Sequence, residues 1–474
     1  MFFALLKKEI LTHIYDYRYA IYSGLTIITI IGSFFLMQAV YTTKVGQYNS
    51  LVKSLPVDRG DVFRGLGVFA NVGIAKPIRP AKLQILYQGI EQEYAKFTKF
   101  SVDNHLPFLS KERMGFQAED FFPAMDFTLI VLFILSLLVF VFSFNSVSRE
   151  KESGTLKLMV SYPVSRLQII LAKLAGGYIG VVLPLVFTFG LVMAIVMLTP
   201  DFIFTGPEVA TAAAVYGAAA LYLLVMYLVG ITVSIKCRRS ATAISVLVLV
   251  WLLFIVVLHN VSLLVIQKIH DPLTVGAATT RQREAVEQCK AELTETSVKK
   301  YGTRHWKIPP FRPPEKDKIT AAGMNELFGT YLGRVNSSIV GHLESYINQL
   351  ARAEQLLVKC SYFSPTLLFT QIVSNFTDTG VQGRLRLYTY FKDYQNHLYQ
   401  FIQKDLEGLT RENEYYSTGW TRVIPIDQLP DFRYQSPPLS QRVQESLGYL
   451  AALVVLCLGL LLAAFYSFLR MEAA

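Results

Sequence analysis

Six long uncharged runs divide the chain. Each is 20 to 27 residues long and contains no Asp, Glu, Lys or Arg. A helix of about 20 apolar residues crosses the hydrocarbon core of a bilayer, so each run predicts a membrane span. The predicted spans are residues 21–40, 127–147, 174–198, 209–235, 241–266 and 447–469. One such run could be a buried helix of a soluble protein, but six together favour an all-α polytopic membrane protein.

The short loops between the runs predict the orientation. Loop 236–240 carries three basic residues in five, whereas loop 199–208 carries only acidic charges. Short loops with basic residues stay in the cytoplasm, whereas long loops cross the membrane whatever their charge. Loop 236–240 is therefore expected in the cytoplasm, and with six spans both termini are expected there too. The remaining inside pieces are too short to form a domain with its own core. These pieces are residues 1–20, 148–173, 236–240 and 470–474.

Two long segments, 41–126 and 267–446, are therefore expected to form a large, mainly helical extracytoplasmic domain. Apolar residues at helical spacing predict helices over 82–102, 281–300, 326–358 and 384–409, and Ser364-Pro365 is a helix-start signal. The stretch 308–314 is rich in proline and predicts an extended linker. An apolar stripe runs along 326–358 and consists of Leu327, Tyr331, Val335, Ile339, Leu343, Ile347 and Leu350.

An aromatic run marks the last of these predicted helices. Its members are Tyr388, Tyr390, Phe391, Tyr394 and Tyr399. Core packing is the favoured interpretation, and an aromatic ligand-binding surface is the alternative.

The N-terminal residues have an amphipathic pattern. Five apolar residues recur at three- and four-residue spacing, namely Phe3, Leu6, Ile10, Ile14 and Tyr17. This pattern predicts a helix within residues 1–20 that lies in the membrane interface. The alternative is a simple extension of the first span.

The connection between the second and third spans is longer than a turn requires. Leu156, Met159 and Val160 form a short apolar stripe, and Pro163 ends that helix because the residue before a proline avoids the α region. Ser165 then begins a new helix, with Gln168 at the spacing of a capping box. A short charged helix held against the membrane suits docking to a cytoplasmic partner. The alternative for its acidic residues is a solvated helix N-terminus.

This segment resembles the signature of the ABC type-2 transporter permeases. The residues that carry the resemblance are Glu150, Glu152, Gly154, Thr155, Leu156, Pro163, Ser165 and Arg166. The resemblance implies that 148–173 is a coupling segment that inserts into a cleft of an ATP-binding subunit. It also implies that the N-terminal helix is the connecting helix of the family. The long outer segments resemble a subfamily with expanded outer domains, whose members often pair with a second permease.

Composition and missing motifs narrow the function further. Only 17% of the residues are charged, which makes a soluble enzyme improbable, and the net charge of +10 is spread without a nucleic-acid patch. The phosphate-binding motif G-x-x-x-x-G-K-[ST] is absent, so we expect no cofactor in this chain and place ATP and Mg²⁺ in a partner subunit. His259 and His270 lack further ligands at helical spacing, so no metal site is predicted. Cys289 and Cys360 are compatible with either a disulfide or two free thiols.

The sequence therefore predicts a non-catalytic permease subunit of an ATP-driven exporter in the cell membrane (inner or plasma membrane). Its expected partners are a cytoplasmic ATP-binding subunit, a second permease copy or a related permease, and the lipid bilayer; nucleic acid is not expected. One alternative is an ATP-coupled protein that transmits motion to an outer partner without transport. Another is a receptor or scaffold with no ATPase.

Overall fold

The computed structural model describes most of the chain. The described residues are 2–54, 63–64, 74–89, 96–100, 106–107, 109–111, 125–155, 165–199, 202–258, 261, 275–302, 304, 321–411, 423–424 and 430–470. Statements about structure refer to these residues.

Six helices are long and apolar enough to cross a membrane, which confirms the predicted all-α polytopic class. Span 1 is Tyr17–Ser54, span 3 is Arg166–Leu198, span 4 is Gly206–Lys236 and span 6 is Leu439–Leu469. Span 2 consists of Phe127–Leu129, a π-helical turn Ile130–Leu135 and Ser136–Ser143. Span 5 runs as Ser240–Leu252 and continues as a π-helical turn, Leu253–Val257.

The ends of spans 2 and 6 and the start of span 3 lie at one end of the bundle, as the predicted topology requires. An N-terminal helix, α1 (Phe2–Ile14), packs against the start of span 3, and a short helix, α2 (Ser148–Glu152), follows span 2. The Arg166 guanidinium donates a hydrogen bond to the Leu469 carbonyl at 2.9 Å, which places the end of span 6 beside the start of span 3. We call this the α1 end of the bundle. That it faces the cytoplasm stays a prediction.

Four further helices belong to the second long segment: α3 (Val275–Tyr301), α4 (Ala321–Ser361), α5 (Pro365–Thr377) and α6 (Val381–Arg411). Side chains of α3, α4 and α6 form a core that is separate from the core of the spans. Ile339 and Leu343 of α4 are fully buried in it, as the apolar stripe predicts. The aromatic run is buried there too, through Tyr388, Phe391 and Tyr394, so the core-packing interpretation is confirmed.

The predicted helix over 82–102 is wrong. Among the described residues of this range, only Lys82–Ile85 is helical, as a 3₁₀ turn, and Lys96–Phe100 is a β-strand. That strand, β3, lies between β2 (Ile74–Ile78) and β4 (Leu109–Lys111) in a three-stranded antiparallel sheet. Its Phe100 is fully buried in the α3–α4–α6 core, so pairing and burial made by distant residues overrode the local helical pattern.

A second, two-stranded sheet joins the two long segments. It pairs β1 (Phe63–Arg64) with β5 (Val423–Ile424) in antiparallel register.

Helix α5 packs inside the bundle although it is too short to span. It begins at the predicted start, with Ser364 as the N-cap residue and Pro365 as the first residue, and it packs against spans 4 and 6. Phe369 stacks on Tyr222 of span 4, with ring centroids 4.9 Å apart. A helix of the second long segment thus contributes to the core of the membrane bundle.

Some sequence predictions fall outside the described residues, namely those for the 308–314 linker and for His259 and His270. Cys289 and Cys360 are free cysteines. Among the described residues, no group of three His, Cys, Asp or Glu side chains could hold a metal ion.

Candidate functional site

The predicted coupling segment, residues 148–173, is called the docking segment below, and it begins as α2 after span 2. Helix α2 ends at Glu152, and Gly154 follows with a φ of +71°, a left-handed conformation that favours glycine. On the far side of the segment, Ser165 Oγ accepts a hydrogen bond from the Gln168 N–H at 3.3 Å, so the helix start predicted at Ser165 is confirmed, and the helix of span 3 begins there rather than at residue 174. Leu156 and Pro163 lie outside the described residues.

Glu150 faces inward and forms an ion pair. Its carboxylate lies 2.6 Å from the ammonium of Lys173, which also lies 3.3 Å from the carboxylate of Glu9 on α1. The Lys173 side chain is only 4% exposed, and those of Glu9 and Glu150 are 9% and 22% exposed. A buried lysine is stable when carboxylates neutralise it, so this ion cluster connects α1, α2 and span 3.

Two glycines of span 3 let the neighbouring helices come close enough for this cluster to form. A Cβ atom on Gly176 would lie 2.9 Å from Cβ of Glu9, closer than real Cβ atoms approach. A Cβ atom on Gly177 would overlap the hydroxyl of Tyr227 in span 4, which donates a hydrogen bond to the Lys173 carbonyl at 3.1 Å. Small residues permit this close backbone approach between membrane helices.

The other side of α2 is attached to span 4. The ammonium of Lys151 donates to the carbonyls of Ile235 and Cys237, the latter at 3.3 Å. The backbone N–H groups of Val147 and Ser148 donate to the buried hydroxyl of Ser234, at 3.1 and 3.0 Å. The orphan N–H groups at the start of α2 therefore find their acceptor on a membrane helix.

Glu152 caps the start of span 5. Its carboxylate accepts hydrogen bonds from the Ser240 backbone N–H at 2.9 Å and from the Ser240 hydroxyl at 2.8 Å. These two bonds hold the pKa of Glu152 below its ordinary value, and the bond from the backbone N–H has the larger effect. The N-cap residue Arg239 makes no capping bond of its own, so Glu152 supplies the acceptor that this helix N-terminus lacks.

The segment thus has an anchored side and an exposed side. Glu150, Lys151 and the start of α2 bind α1 and spans 3 and 4. Among residues 148–155, the exposed ones are Arg149, Glu152, Ser153, Gly154 and Thr155. Arg166 binds the end of span 6.

Glu9 and Lys173 are the site residues that sequence reasoning missed. Glu9 follows two lysines, Lys7 and Lys8, in the N-terminal helix, and Lys173 is a single charge next to an apolar run, so neither stands out. The adjacent Gly176-Gly177 pair was the available signal, because paired glycines in a membrane helix indicate a close neighbour.

A cleft of about 400 Å³ lies at the other end of the bundle. Its lining comes from the end of span 1, the loop after β2, the α5–α6 turn and the segment before span 6. Below it, Arg386 pairs with Asp378 and with Glu445 of span 6, and Arg442 of span 6 donates to the Phe376 carbonyl of α5. This charged network fixes the start of span 6 to α5 and α6.

The comparison with protein families agrees with this architecture. The model of a family described as ABC-2 family transporter protein matches residues 3–473. No curated protein matches the chain. The family consists of membrane subunits of ABC transporters, normally non-catalytic, that associate with an ATP-binding subunit. With six apolar helices and a match over nearly its whole length, the chain belongs to the ABC-2 transporter family and is a multi-pass membrane permease subunit.

Proposed function

We propose that this permease subunit works in an exporter in the cell membrane, driven by a separate cytoplasmic ATP-binding subunit through residues 148–173. A second permease, identical or related, completes the membrane part. ATP and Mg²⁺ bind in the partner subunit. The observation that carries the proposal is the attachment of one short segment to α1 and to spans 3, 4 and 5.

The two sides of α2 suit a segment that receives a push and passes it on. Exposed residues around Glu152 and Gly154 are available to a partner, whereas Glu150 and Lys151 face into the bundle. A displacement of the exposed side therefore applies a force to several membrane helices at once. Because the packed interior resists compression, those helices shift as bodies.

The test is Glu152→Lys. Charge reversal removes the acceptor for Ser240, places a cation at a helix N-terminus and changes the exposed surface. We expect membrane insertion and folding to persist, while the ATP-binding subunit no longer co-purifies or its ATP hydrolysis no longer supports export. Glu295→Lys is the matched control, because Glu295 is an exposed residue of α3. Unchanged association and unchanged activity in Glu152→Lys would remove the main argument for this site.

A second candidate function is transmission of motion without transport. It is favoured by span 1, whose 38 residues continue well past the uncharged run 21–40. At about 1.5 Å per residue this helix is roughly 57 Å long, which exceeds the thickness of the hydrocarbon core. It packs against the 3₁₀ turn and β2 of the first long segment, so a tilt at the α1 end reaches that segment directly.

Reconstitution into vesicles separates the candidate functions. ATP-dependent movement of a lipid or peptide across the vesicle membrane supports the exporter. ATP hydrolysis that changes the conformation of the two long segments without such movement supports transmission. A receptor or scaffold function is supported if no ATPase co-purifies with the chain.

A further inference from the structure

We propose that Lys173 is a positioning residue through which α1 and span 1 move together with the docking segment. This inference rests on the proposed function. Lys173 lies where three elements meet: its ammonium binds Glu150 of α2 and Glu9 of α1, while its own backbone belongs to span 3. A displacement of α2 thus reaches α1 through two ion pairs that share one cation.

The burial of the ion cluster determines which contacts persist when α2 is displaced. Separating Lys173 from Glu9 would leave a carboxylate uncompensated where both side chains are at most 9% exposed, which strongly disfavours separation. Glu150 is 22% exposed, so its separation from Lys173 is disfavoured less. The bonds from Glu152 to Ser240 are exposed, so water replaces them at little cost. When α2 is displaced, α1 and span 3 follow it, and the link to span 5 yields first.

Helix α1 is in turn coupled tightly to span 1. Only Tyr15 and Asp16 separate the two helices, and the turn is closed by Asp16, whose carboxylate accepts from the Arg18 N–H at 3.1 Å and whose carbonyl accepts from the Tyr19 N–H at 2.9 Å. The Tyr22 hydroxyl then donates to the Val181 carbonyl of span 3 at 2.9 Å. Together with the close approach at Gly176, these contacts make α1, span 1 and span 3 one mechanical unit.

The deciding variant is Glu9→Leu. It removes the link from Lys173 to α1 but leaves Lys173 and Glu150 as a balanced pair, and leucine suits the apolar surroundings. Glu150 and the exposed side of α2 are unchanged, so binding of the ATP-binding subunit is preserved. Lys8→Leu is the matched control, because Lys8 is the neighbouring residue and is exposed.

The measurement is a distance by pulsed electron paramagnetic resonance on the complete complex with its ATP-binding subunit in lipid nanodiscs. Spin labels at Tyr15, beside α1, and at Thr242, an exposed residue near the start of span 5, are introduced in a background without the native cysteines. We expect ATP with vanadate to change this distance in the parent protein and in Lys8→Leu. In Glu9→Leu we expect the ATP-binding subunit to remain bound and to hydrolyse ATP, while the nucleotide-dependent change is lost.

A purely structural role for Glu9 predicts a different result. Glu9→Leu would then lower the thermal stability or alter the resting distance but keep the full nucleotide-dependent change, and that outcome overturns the inference. If Glu9→Leu yields no folded complex, Glu9→Gln is the test: it keeps the side-chain shape and one neutral acceptor, which binds an ammonium more weakly, so a reduced change is expected and a full change overturns the inference. Failure of any ATPase to assemble with the parent protein would instead overturn the proposed function and this inference with it.

Discussion

Replacing Ile339 with aspartate tests whether the second long segment forms a compact unit. Ile339 lies in the middle of α4 and is 0% exposed. It belongs to a core that α3, α4, α6 and β3 share, so the new side chain would disturb packing to which four elements contribute.

The size of the effect follows from that burial. Losing a fully buried isoleucine side chain costs about 1.5–3 kcal/mol of apolar burial. Placing a carboxyl group there without hydrogen-bond partners costs about 1–3 kcal/mol more, even after the group takes up a proton. The sum of about 2.5–6 kcal/mol is a large part of the stability of a typical domain, which is about 5–15 kcal/mol. The spans are expected to survive, because their core is separate.

Limited proteolysis of the membrane-embedded protein measures the outcome. The parent protein should resist cleavage between residues 326 and 409, and Ile339→Asp should be cut there. Ser337→Asp, at an exposed position of the same helix, is the control and should behave like the parent. Equal resistance in the parent and Ile339→Asp would refute the argument that this face of α4 holds the segment together.

Three further predictions concern other parts of the chain. A reporter fused after Arg239 should be cytoplasmic and one fused after Pro314 external; a cytoplasmic signal at Pro314 would break the six-span topology. Burial raises the pKa of Asp126, next to span 2, from the ordinary 3.8 to about 6, a difference worth about 3 kcal/mol, so its contribution to stability is complete below the ordinary value and is lost as the pH rises through about 6. Thermal unfolding of the protein in detergent should show this loss between about pH 4 and 6, and Asp126→Asn should lack it; identical pH profiles would contradict the assignment. Gly177→Ala should lower thermal stability, because its Cβ atom would overlap the Tyr227 hydroxyl and lie 2.8 Å from the ring carbon that bears it. Tyr227→Phe removes the nearer atom and should recover part of the loss; no recovery would mean that the strain lies elsewhere.

The structural features that depend on local composition were predicted correctly from the sequence. Uncharged runs predict the six spans because the bilayer selects for apolar length alone. The helix start at Ser165 and the start of α5 at Ser364-Pro365 follow from local backbone preferences, and both are confirmed. The buried face of α4 follows from helical spacing, which leaves Ile339 and Leu343 inward. The same reasoning failed over 82–102, where strand partners distant in sequence decide the structure.

Part of the candidate site was also visible in the sequence. The residues from Glu150 to Leu156 and from Pro163 to Arg166 resemble the signature of the ABC type-2 permeases, and the family match confirms that membership. Docking of the ATP-binding subunit to these residues stays a prediction.

Only the tertiary structure shows what the charges in this loop bind. Glu150 pairs with a lysine 23 residues away that also binds Glu9, and Glu152 caps a helix that begins 88 residues later in the chain. A sequence gives the charge of each residue but not which opposite charge shares its desolvated site. That pairing depends on how closely the helices pack, and here the packing is set by the absence of side chains at Gly176 and Gly177. The hydrophobic pattern therefore determined which segments enter the membrane, whereas close helix packing decided which buried charges meet.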